Sequence, residues 1–513
     1  MVLPATVRSA AEKFADRNAY VAEAGWPLSY TDLDRASDEA AAGLTELGVR
    51  EGDVVGVMLP AGPDFLIAYL AIAKLGAITA GVNDRLAPTE RTAVLERADP
   101  RLVLATSDLA LDPFPTIEVE PGSSVGTILA TLRRPGTGPP PLPDRPDRDV
   151  AIIFTSGTTG TPKGARYGNR QLAFITATDV GDAWGTGGRG FSGTSFAHLG
   201  FITKLPGNLR RGGVNFMMSR WRAPDALALL ERERLTTVAG VPTQLALMLR
   251  EPDFDRYDLS SVNSIVAGGG PITPGLAEEA RRRFGAVLAT RYSCTEAGIG
   301  LGTAFDAPDE DAVVSVGRPL PGVELSLRDP DDPEPTHAVP DGEIGEVCLR
   351  SGACMSGYWR DPEATASAFT PDRYVRTGDL GRLDEQGRLR LVGRAKEMYV
   401  RGGYNVYPVE VEAVLSTHPD VAAVAVVPRA DAVMGEIGVA CVVARPDVTV
   451  SLTSLRDFAR ERIAAYKLPE AVHLLAALPL TAGEKIDRGA LGRAVAATSP
   501  DAARSGGAES IVR

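Results

Sequence analysis

The sequence predicts an α/β protein: a large N-terminal domain of parallel-rich sheets covered by helices, then a small α+β C-terminal domain. Three observations predict it. Strand and helix patterns alternate from Thr31 to Ala105, the order that produces parallel sheets with helices on their faces. A loop with six prolines, Arg134–Asp149, then leads into a second buried strand and more α/β pattern. Beyond Gly378–Arg401, where Gly378, Gly381, Gly387 and Gly393 are interleaved with charges, the pattern changes to a compact unit of about 110 residues, a normal size for a small domain.

The elements follow in order. Leu33, Ala36, Ala40, Leu44 and Leu47 recur at helical spacing, with Thr31 as the expected N-cap. Asp53–Leu59 reads as a buried strand between Gly52 and Pro60. A helix over Phe65–Leu75, a strand near Ala77–Val82, a helix over Thr89–Ala98 and a strand at Arg101–Ala105 come next. The proline-rich stretch can be neither helix nor central strand. Val150–Phe154 is the strand after it. In the last part, Pro408 suits the first position of a helix with Val411, Val414 and Leu415 on its apolar face. Strands at Val421–Val427 and Ile437–Ala444, a helix over Leu452–Ala465 and an apolar segment at Ala471–Leu478 complete the unit.

Composition narrows the function. The 513 residues are 44% hydrophobic and 23% charged, as in globular proteins. A net charge of −12 argues against nucleic acid or an anionic membrane as partner, since both demand a basic surface. The longest apolar run, Phe65–Ala73, ends at Lys74, short of the roughly 20 residues a membrane span needs. The N-terminus lacks the pattern of a signal peptide. The four cysteines have no CxxC spacing, so reduced thiols and a cytoplasmic location are expected. Lysine occurs only seven times, against 54 basic residues in all, so a lysine in a glycine- or proline-rich loop stands out.

Five segments carry candidate chemistry. Thr155-Ser156-Gly157-Thr158-Thr159-Gly160-Thr161-Pro162-Lys163-Gly164 follows a buried strand. Its hydroxyls, backbone N–H groups and Lys163 suit phosphate oxygens. It is not the GxxxxGK[ST] loop, because Pro162 and Gly164 occupy the places of its second Gly and its Ser/Thr. Tyr292-Ser293-Cys294-Thr295-Glu296 places an aromatic, a hydroxyl and a carboxylate together, a set able to stack on a base, touch a phosphate and hold a hard cation. Arg376-Thr377-Gly378-Asp379 with Arg394 offers an acceptor and a donor for ribose hydroxyls. Lys396–Pro408 contains the pair Gly402-Gly403, which permits close backbone approach. Leu478–Arg488 puts Lys485 on a loop flanked by Pro479 and Gly483. Taken singly, the Arg376–Asp379 segment reads equally well as a turn with a surface ion pair, and the other three read better as turns or a tail loop.

In this order and together, the five segments resemble the adenylate-forming (ANL) superfamily of acyl-CoA ligases, nonribosomal-peptide adenylation domains and beetle luciferase. The likeness runs from about residue 6 to 495, and the Met398–Glu412 segment is most similar to the acyl-CoA synthetase, or fatty-acyl-CoA ligase, branch. The resemblance implies a domain over residues 1–394 that binds AMP and the acyl group. It implies a mobile C-terminal domain over 395–500, and 501–513 is expected to be a disordered tail. It implies ATP, Mg²⁺ and coenzyme A. Thr155, Ser156, Gly157, Thr158, Thr159 and Lys163 would grip the phosphates. Gly268, Gly269, Gly270 and Pro271 would line the adenine, with Tyr292 stacked on it beside Ser293. Thr295 would meet the phosphate and Glu296 the Mg²⁺. Asp379 and Arg394 would hold the ribose, and Lys396 would be the hinge. Lys485 falls at the catalytic lysine and His198 at the border of the acyl site, so Lys485, Glu296, His198 and Thr155 are the implied catalytic positions. Rotation about Lys396 would exchange the Lys485 loop for the Gly402–Gly403 loop between the two half-reactions.

Two positions depart from the family pattern. Glu484 stands where a glycine usually precedes the lysine, and its carboxylate would pair with Lys485 or repel triphosphate. Ser293 replaces a commoner glycine. Gly298, Gly300 and Gly302 suggest a deep acyl pocket, whereas Trp184, Phe196 and Phe201 would narrow it. No basic residue marks a second carboxylate, so a long or bulky apolar acid is expected. His337, His418 and His473 are expected to hold no metal, and Asp384-Glu385 is read as a turn. Two alternatives stay open: a partial ligase acting on a preformed adenylate, motivated by Glu484, and an enzyme that loads a carrier protein in trans, since the stretch after Lys485 is too short for a fused carrier. A homodimer also stays open.

Overall fold

The computed structural model describes residues 2–155 and 162–497. Its first sheet has six strands in the order Thr116–Glu118, Leu102–Ala105, Val54–Met58, Ile78–Gly81, Asp149–Thr155 and Lys163–Gly168. All neighbours are parallel except the last pair, which is a hairpin. The central strands are buried along their length, which is why they read as unbroken apolar runs. Helices Tyr30–Glu46, Pro63–Lys74 and Pro88–Ala98 connect and cover them.

A second sheet runs Thr237–Gly240, Ser264–Gly268, Val287–Cys294, Gly298–Gly302 and Arg318–Pro319; its first three strands are parallel. An antiparallel sheet follows, made of Glu324–Arg328, Gly345–Arg350, Val375–Leu383 and Leu389–Arg394. The small C-terminal sheet contains Tyr404–Val406, Tyr399–Arg401, Gly435–Ala444 and Val421–Asp431, with Ala471–Leu474 alongside. Helices Pro408–Leu415 and Leu452–Arg460 bury Val411, Leu415 and Leu455 against Val424, Val426, Ala440 and Val442. Helix Arg488–Ala497 covers the other face through Leu491 and Val495.

Local departures from the sequence reading have local causes. Ser29, not Thr31, caps the helix at Tyr30: Ser29 Oγ accepts from the Asp32 N–H at 3.0 Å, and the Asp32 carboxylate accepts from the Ser29 N–H at 3.1 Å. That reciprocal pair outcompetes a hydroxyl two residues further in. The helix from Leu452 stops at Arg460 rather than Ala465, and Ile463 reaches the same core from the turn beyond it. Lys74 is buried, with its ammonium 2.6 Å from Asp34 and 2.8 Å from Asp38. Lys467 is bound by Glu410 at 2.6 Å. Two of the seven lysines are therefore structural ties.

The strand directions put the chemistry in one place. Asn83 follows Gly81, Thr155 ends its strand, Gly268 ends another, and Thr295-Glu296 follows Cys294. All lie at the carboxyl ends of strands in the two parallel sheets, where open α/β sheets present their loops to ligands. No helix among the described residues is long and apolar enough to cross a membrane.

Candidate functional site

A continuous cleft of ≈ 3520 Å³ runs between the two parallel sheets, the antiparallel sheet and the small domain. Thr155, Lys163, His198, Gly268, Gly269, Gly270 and Pro271 line it. So do Tyr292, Ser293, Thr295, Glu296, Asp379, Arg394, Lys396 and Lys485. Ser156, Gly157, Thr158 and Thr159 lie outside the described residues. Gly402 and Gly403 form the left-handed turn of a hairpin (φ +55° and +86°), are exposed, and do not line the cleft.

Asp379 is the anchor of one wall. It sits opposite Arg394 across two antiparallel strands and accepts from Arg394 Nε at 2.7 Å and from the Tyr292 hydroxyl at 2.6 Å. The Asp379 N–H donates to Thr377 Oγ1, and the Gly378 N–H donates to buried Glu346 at 3.0 Å. Glu346 also pairs with Arg376 at 2.7 Å. The whole Arg376–Asp379 turn is thereby tied to the strand Gly345–Arg350. Burial and the neighbouring Asp379 carboxylate hold the Tyr292 hydroxyl well above its ordinary pKa. Burial acts against the Arg394 charge, and Asp379 more than offsets it.

The opposite end holds Glu296. Its Oε1 accepts from the Tyr358 hydroxyl at 2.8 Å, and Lys163 Nζ lies 5.3 Å from the Tyr358 ring centre. The Met355 N–H donates to the Glu296 carbonyl at 2.9 Å, and the Tyr167 hydroxyl to the Thr295 carbonyl at 2.8 Å. Thr155 and Lys163 face each other across the hairpin. Among the described residues no group of three His, Cys, Asp or Glu side chains could hold a metal ion. A single carboxylate fits a Mg²⁺ that takes its remaining ligands from phosphate and water, so Glu296 suits that ion.

Lys485 extends from the small domain toward both ends. Its loop is a tight hairpin: Leu480 bridges Ile486, and the Thr481 N–H donates to the Lys485 carbonyl at 2.7 Å. Lys485 lines the same cleft as Arg394, Asp379 and Glu296. Burial and the nearby Arg394 charge lower its pKa, against the pull of Asp379 and Glu296. His198 is close by. Its Nε2 lies 3.2 Å from the Asn83 amide. Burial, then the charges of Lys485 and Arg85, push its pKa down to about 4. The folded protein thus keeps His198 neutral while the unfolded chain protonates near 6.5. Stability contributed by this residue is complete above about pH 6.5 and falls as pH drops toward 4. His198→Gln is expected to flatten the fall of Tm across that window, which a pH series of thermal melts checks.

Several expectations are corrected. Glu484 does not pair with Lys485; it lines the cleft and binds Arg85 and Gln244 of the large domain. Phe196 and Phe201 do not narrow a pocket. They stack on each other at 3.6 Å with Phe65 edge-on, buried in the core. Trp184 packs on Phe14 and lies under Arg210 and Lys13. Gly298, Gly300 and Gly302 do not open a pocket either. A Cβ there would meet the Ala353 carbonyl at 2.5 Å, Leu349 at 2.7 Å and Arg291 at 2.9 Å, so these glycines permit close packing against neighbouring strands. Sequence reading also missed Asn83, Arg85, Lys204, Gln244 and Tyr358. For Asn83 and Arg85 the available signal was a polar pair directly after a buried strand. His418 is satisfied by Ser454 at 2.9 Å and the Asp420 N–H at 3.1 Å. Asp384 closes a turn by binding Arg388 and Arg390.

Asp379 with Arg394, Glu296 with Tyr358, and Lys485 of the small domain thus line one cleft. The family model for AMP-binding enzymes matches residues 7–359, and that for the AMP-binding enzyme C-terminal domain matches 410–485. The chain belongs to the AMP-binding enzyme family. It is an AMP-forming acid–thiol ligase of the acyl-CoA synthetase type. A 3-[(3aS,4S,7aS)-7a-methyl-1,5-dioxo-octahydro-1H-inden-4-yl]propanoyl:CoA ligase of Rhodococcus jostii is 32% identical over 528 residues, 95% of this chain and 98% of the relative. A feruloyl-CoA synthase of an Amycolatopsis species is 32% identical over 485 residues, 92% and 95% of the two chains. Among solved structures, the amide bond synthetase McbA of Marinactinospora thermotolerans superposes with a TM-score of 0.83 at 29% identity, covering 96% of this chain and all of that one.

Proposed function

We propose that this enzyme activates a bulky carboxylic acid as its acyl-AMP, using ATP and Mg²⁺, and then transfers the acyl group to coenzyme A. The observation that carries the reading is the meeting of Asp379–Arg394, Glu296 and Lys485 in one cleft. In the first step a carboxylate oxygen attacks the α-phosphorus and the bond to pyrophosphate breaks. Charge spreads over phosphoryl oxygens, so catalysis is chiefly positioning and placement of positive charge. Asp379 and Arg394 would hold the ribose, with the Tyr292 ring beside the base and Gly268–Pro271 lining it. Thr155–Lys163 and Thr295 would meet the phosphates. Mg²⁺, when bound at Glu296, supplies charge neutralisation. Lys485 would sit between the reacting oxygens, with neutral His198 bordering the acyl group. In the second step the thiol attacks the acyl carbonyl and AMP leaves. We place the division between the domains at residues 394/395, with Lys396 as hinge, so that rotation withdraws Lys485 and brings in Gly402–Gly403.

The acid has an apolar body and, at its far end, a hydrogen-bond acceptor. Lys204, at the end of the helix that starts beyond His198, lines the cleft near Asp179 and Arg291. Asp179 is already taken by Arg211 at 2.8 Å, and Arg291 by two backbone carbonyls. Among the described residues the Lys204 ammonium has no hydrogen-bond or ion-pair partner, and burial lowers its pKa. This adds one polar contact to the expected long or bulky apolar acid. Lys204→Met is expected to cut kcat/KM for a ring-bearing propanoic acid with a distal ketone by about 10–100-fold, the worth of a hydrogen bond to a charged group. It should leave the deoxygenated analogue within a factor of about three.

The hydroxyl that steadies Glu296 gives another expected result. Tyr358→Phe should raise the Mg²⁺ concentration for half-maximal pyrophosphate release by about 10-fold with kcat at saturating Mg²⁺ changed little; a Mg²⁺ titration reads this. The function as a whole is tested by following pyrophosphate and thioester over a library of acids. Thioester from CoA plus acid and ATP supports the reading. Thioester only from synthetic acyl-AMP would replace it with the partial ligase. Transfer to a carrier protein but not to CoA would replace it with the carrier-loading enzyme.

A further inference from the structure

The residue before Lys485 has a task of its own. Glu484 is in the left-handed region, φ +61°, which side chains other than glycine adopt only at a cost. That cost is offset by what its carboxylate reaches. One oxygen binds the Arg85 guanidinium, from the loop after strand Ile78–Gly81. The other accepts from the side-chain amide of Gln244, in the first turn of helix Pro242–Leu249. Both partners are held ready. The Gln244 carbonyl accepts from the Val241 N–H at 3.2 Å, which turns its NH₂ outward. The Arg85 N–H donates to Asn83 Oδ1 at 3.0 Å, and the Asn83 amide donates to the Ala482 carbonyl at 3.4 Å. The Glu484 and Arg85 side chains are only 14% and 23% exposed, so solvent screens the pair weakly.

We propose that Glu484 is a positioning residue: with Arg85 and Gln244 it forms a clasp between the domains that holds the Lys485 hairpin in the cleft and favours the adenylate-forming orientation of the small domain. The clasp exists only when the hairpin is docked. Rotation of the small domain breaks all three contacts and leaves a strained backbone uncompensated. The inference rests on the role given to Lys485 above. Its consequence is an enzyme biased toward the first half-reaction, the opposite of what a carboxylate beside the lysine suggested from sequence.

Hydrogen–deuterium exchange of the full-length protein tests this without any acid, in buffer and with MgATP as probe. Glu484→Gly relaxes the backbone while removing the clasp; Arg85→Ala removes it from the other side. Both are expected to speed exchange about 10-fold in peptides covering 479–488 and 83–87, with peptides of the core strand Val54–Met58 unchanged. The exchanged pair Arg85→Glu with Glu484→Arg is expected to restore slow exchange. Wild-type exchange in Glu484→Gly, or faster exchange spread evenly over the molecule, would overturn the proposal. Failure of the ligase reading would show instead as absent pyrophosphate release with the clasp intact.

Discussion

Lys485→Ala is expected to slow pyrophosphate release from ATP and acid by about 10²–10³-fold, the usual cost of removing one preorganised charge from a transition state. Thioester formation from synthetic acyl-AMP and CoA should keep most of its rate. The geometry requires this split. Lys485 reaches the cleft from a hairpin of the small domain and feels Arg394, Asp379 and Glu296 together. No other described lysine of the small domain can take its place, since Lys467 is bound to Glu410 and Lys396 lies at the junction. Its pKa is lowered by burial and by Arg394. The rate of the first step should therefore fall as pH rises through a value below that of an ordinary lysine, and Lys485→Arg should move that limb upward. Equal losses in both half-reactions for Lys485→Ala would contradict the role.

Asp379→Ala carries the second large effect. One carboxylate receives both the Tyr292 hydroxyl and Arg394, and its removal frees both and erases the acceptor we propose for ribose. Because the Arg394 side chain is 46% exposed, water takes up part of the lost pairing, and the stability cost should be modest, about 1–2 kcal/mol. The binding cost is larger. KM for ATP is expected to rise about 10–100-fold, the worth of charge-assisted hydrogen bonds, with a smaller change in KM for CoA. Initial-rate kinetics with each substrate varied separates the two.

Much of this architecture was legible in the residues. Buried parallel strands such as Val54–Met58, between Gly52 and Pro60, and Ile78–Gly81, after Gly76, announce themselves as apolar runs. Asp379 and Arg394 face each other across an antiparallel hairpin whose register shifts at Leu380/Gly381. Other features resisted reading for physical reasons. Glu484 is 399 residues from Arg85, and their contact exists only because one domain docks on another, which no local pattern encodes. Gly298, Gly300 and Gly302 look like pocket residues in sequence, and only the third dimension reveals that neighbouring strands fill the space. Lys204 was indistinguishable from a surface lysine until the salt bridge between Asp179 and Arg211 left it without a partner.

The central claim is that a carboxylate oxygen of the substrate becomes bonded to the α-phosphorus of ATP in this cleft. An acid identified from the library, labelled with ¹⁸O in its carboxylate, tests it directly by mass spectrometry of the nucleotide product after turnover with CoA. The account predicts AMP carrying one ¹⁸O, left behind when sulfur displaces it from the acyl carbon. Unlabelled AMP, or ADP with phosphate, would contradict it.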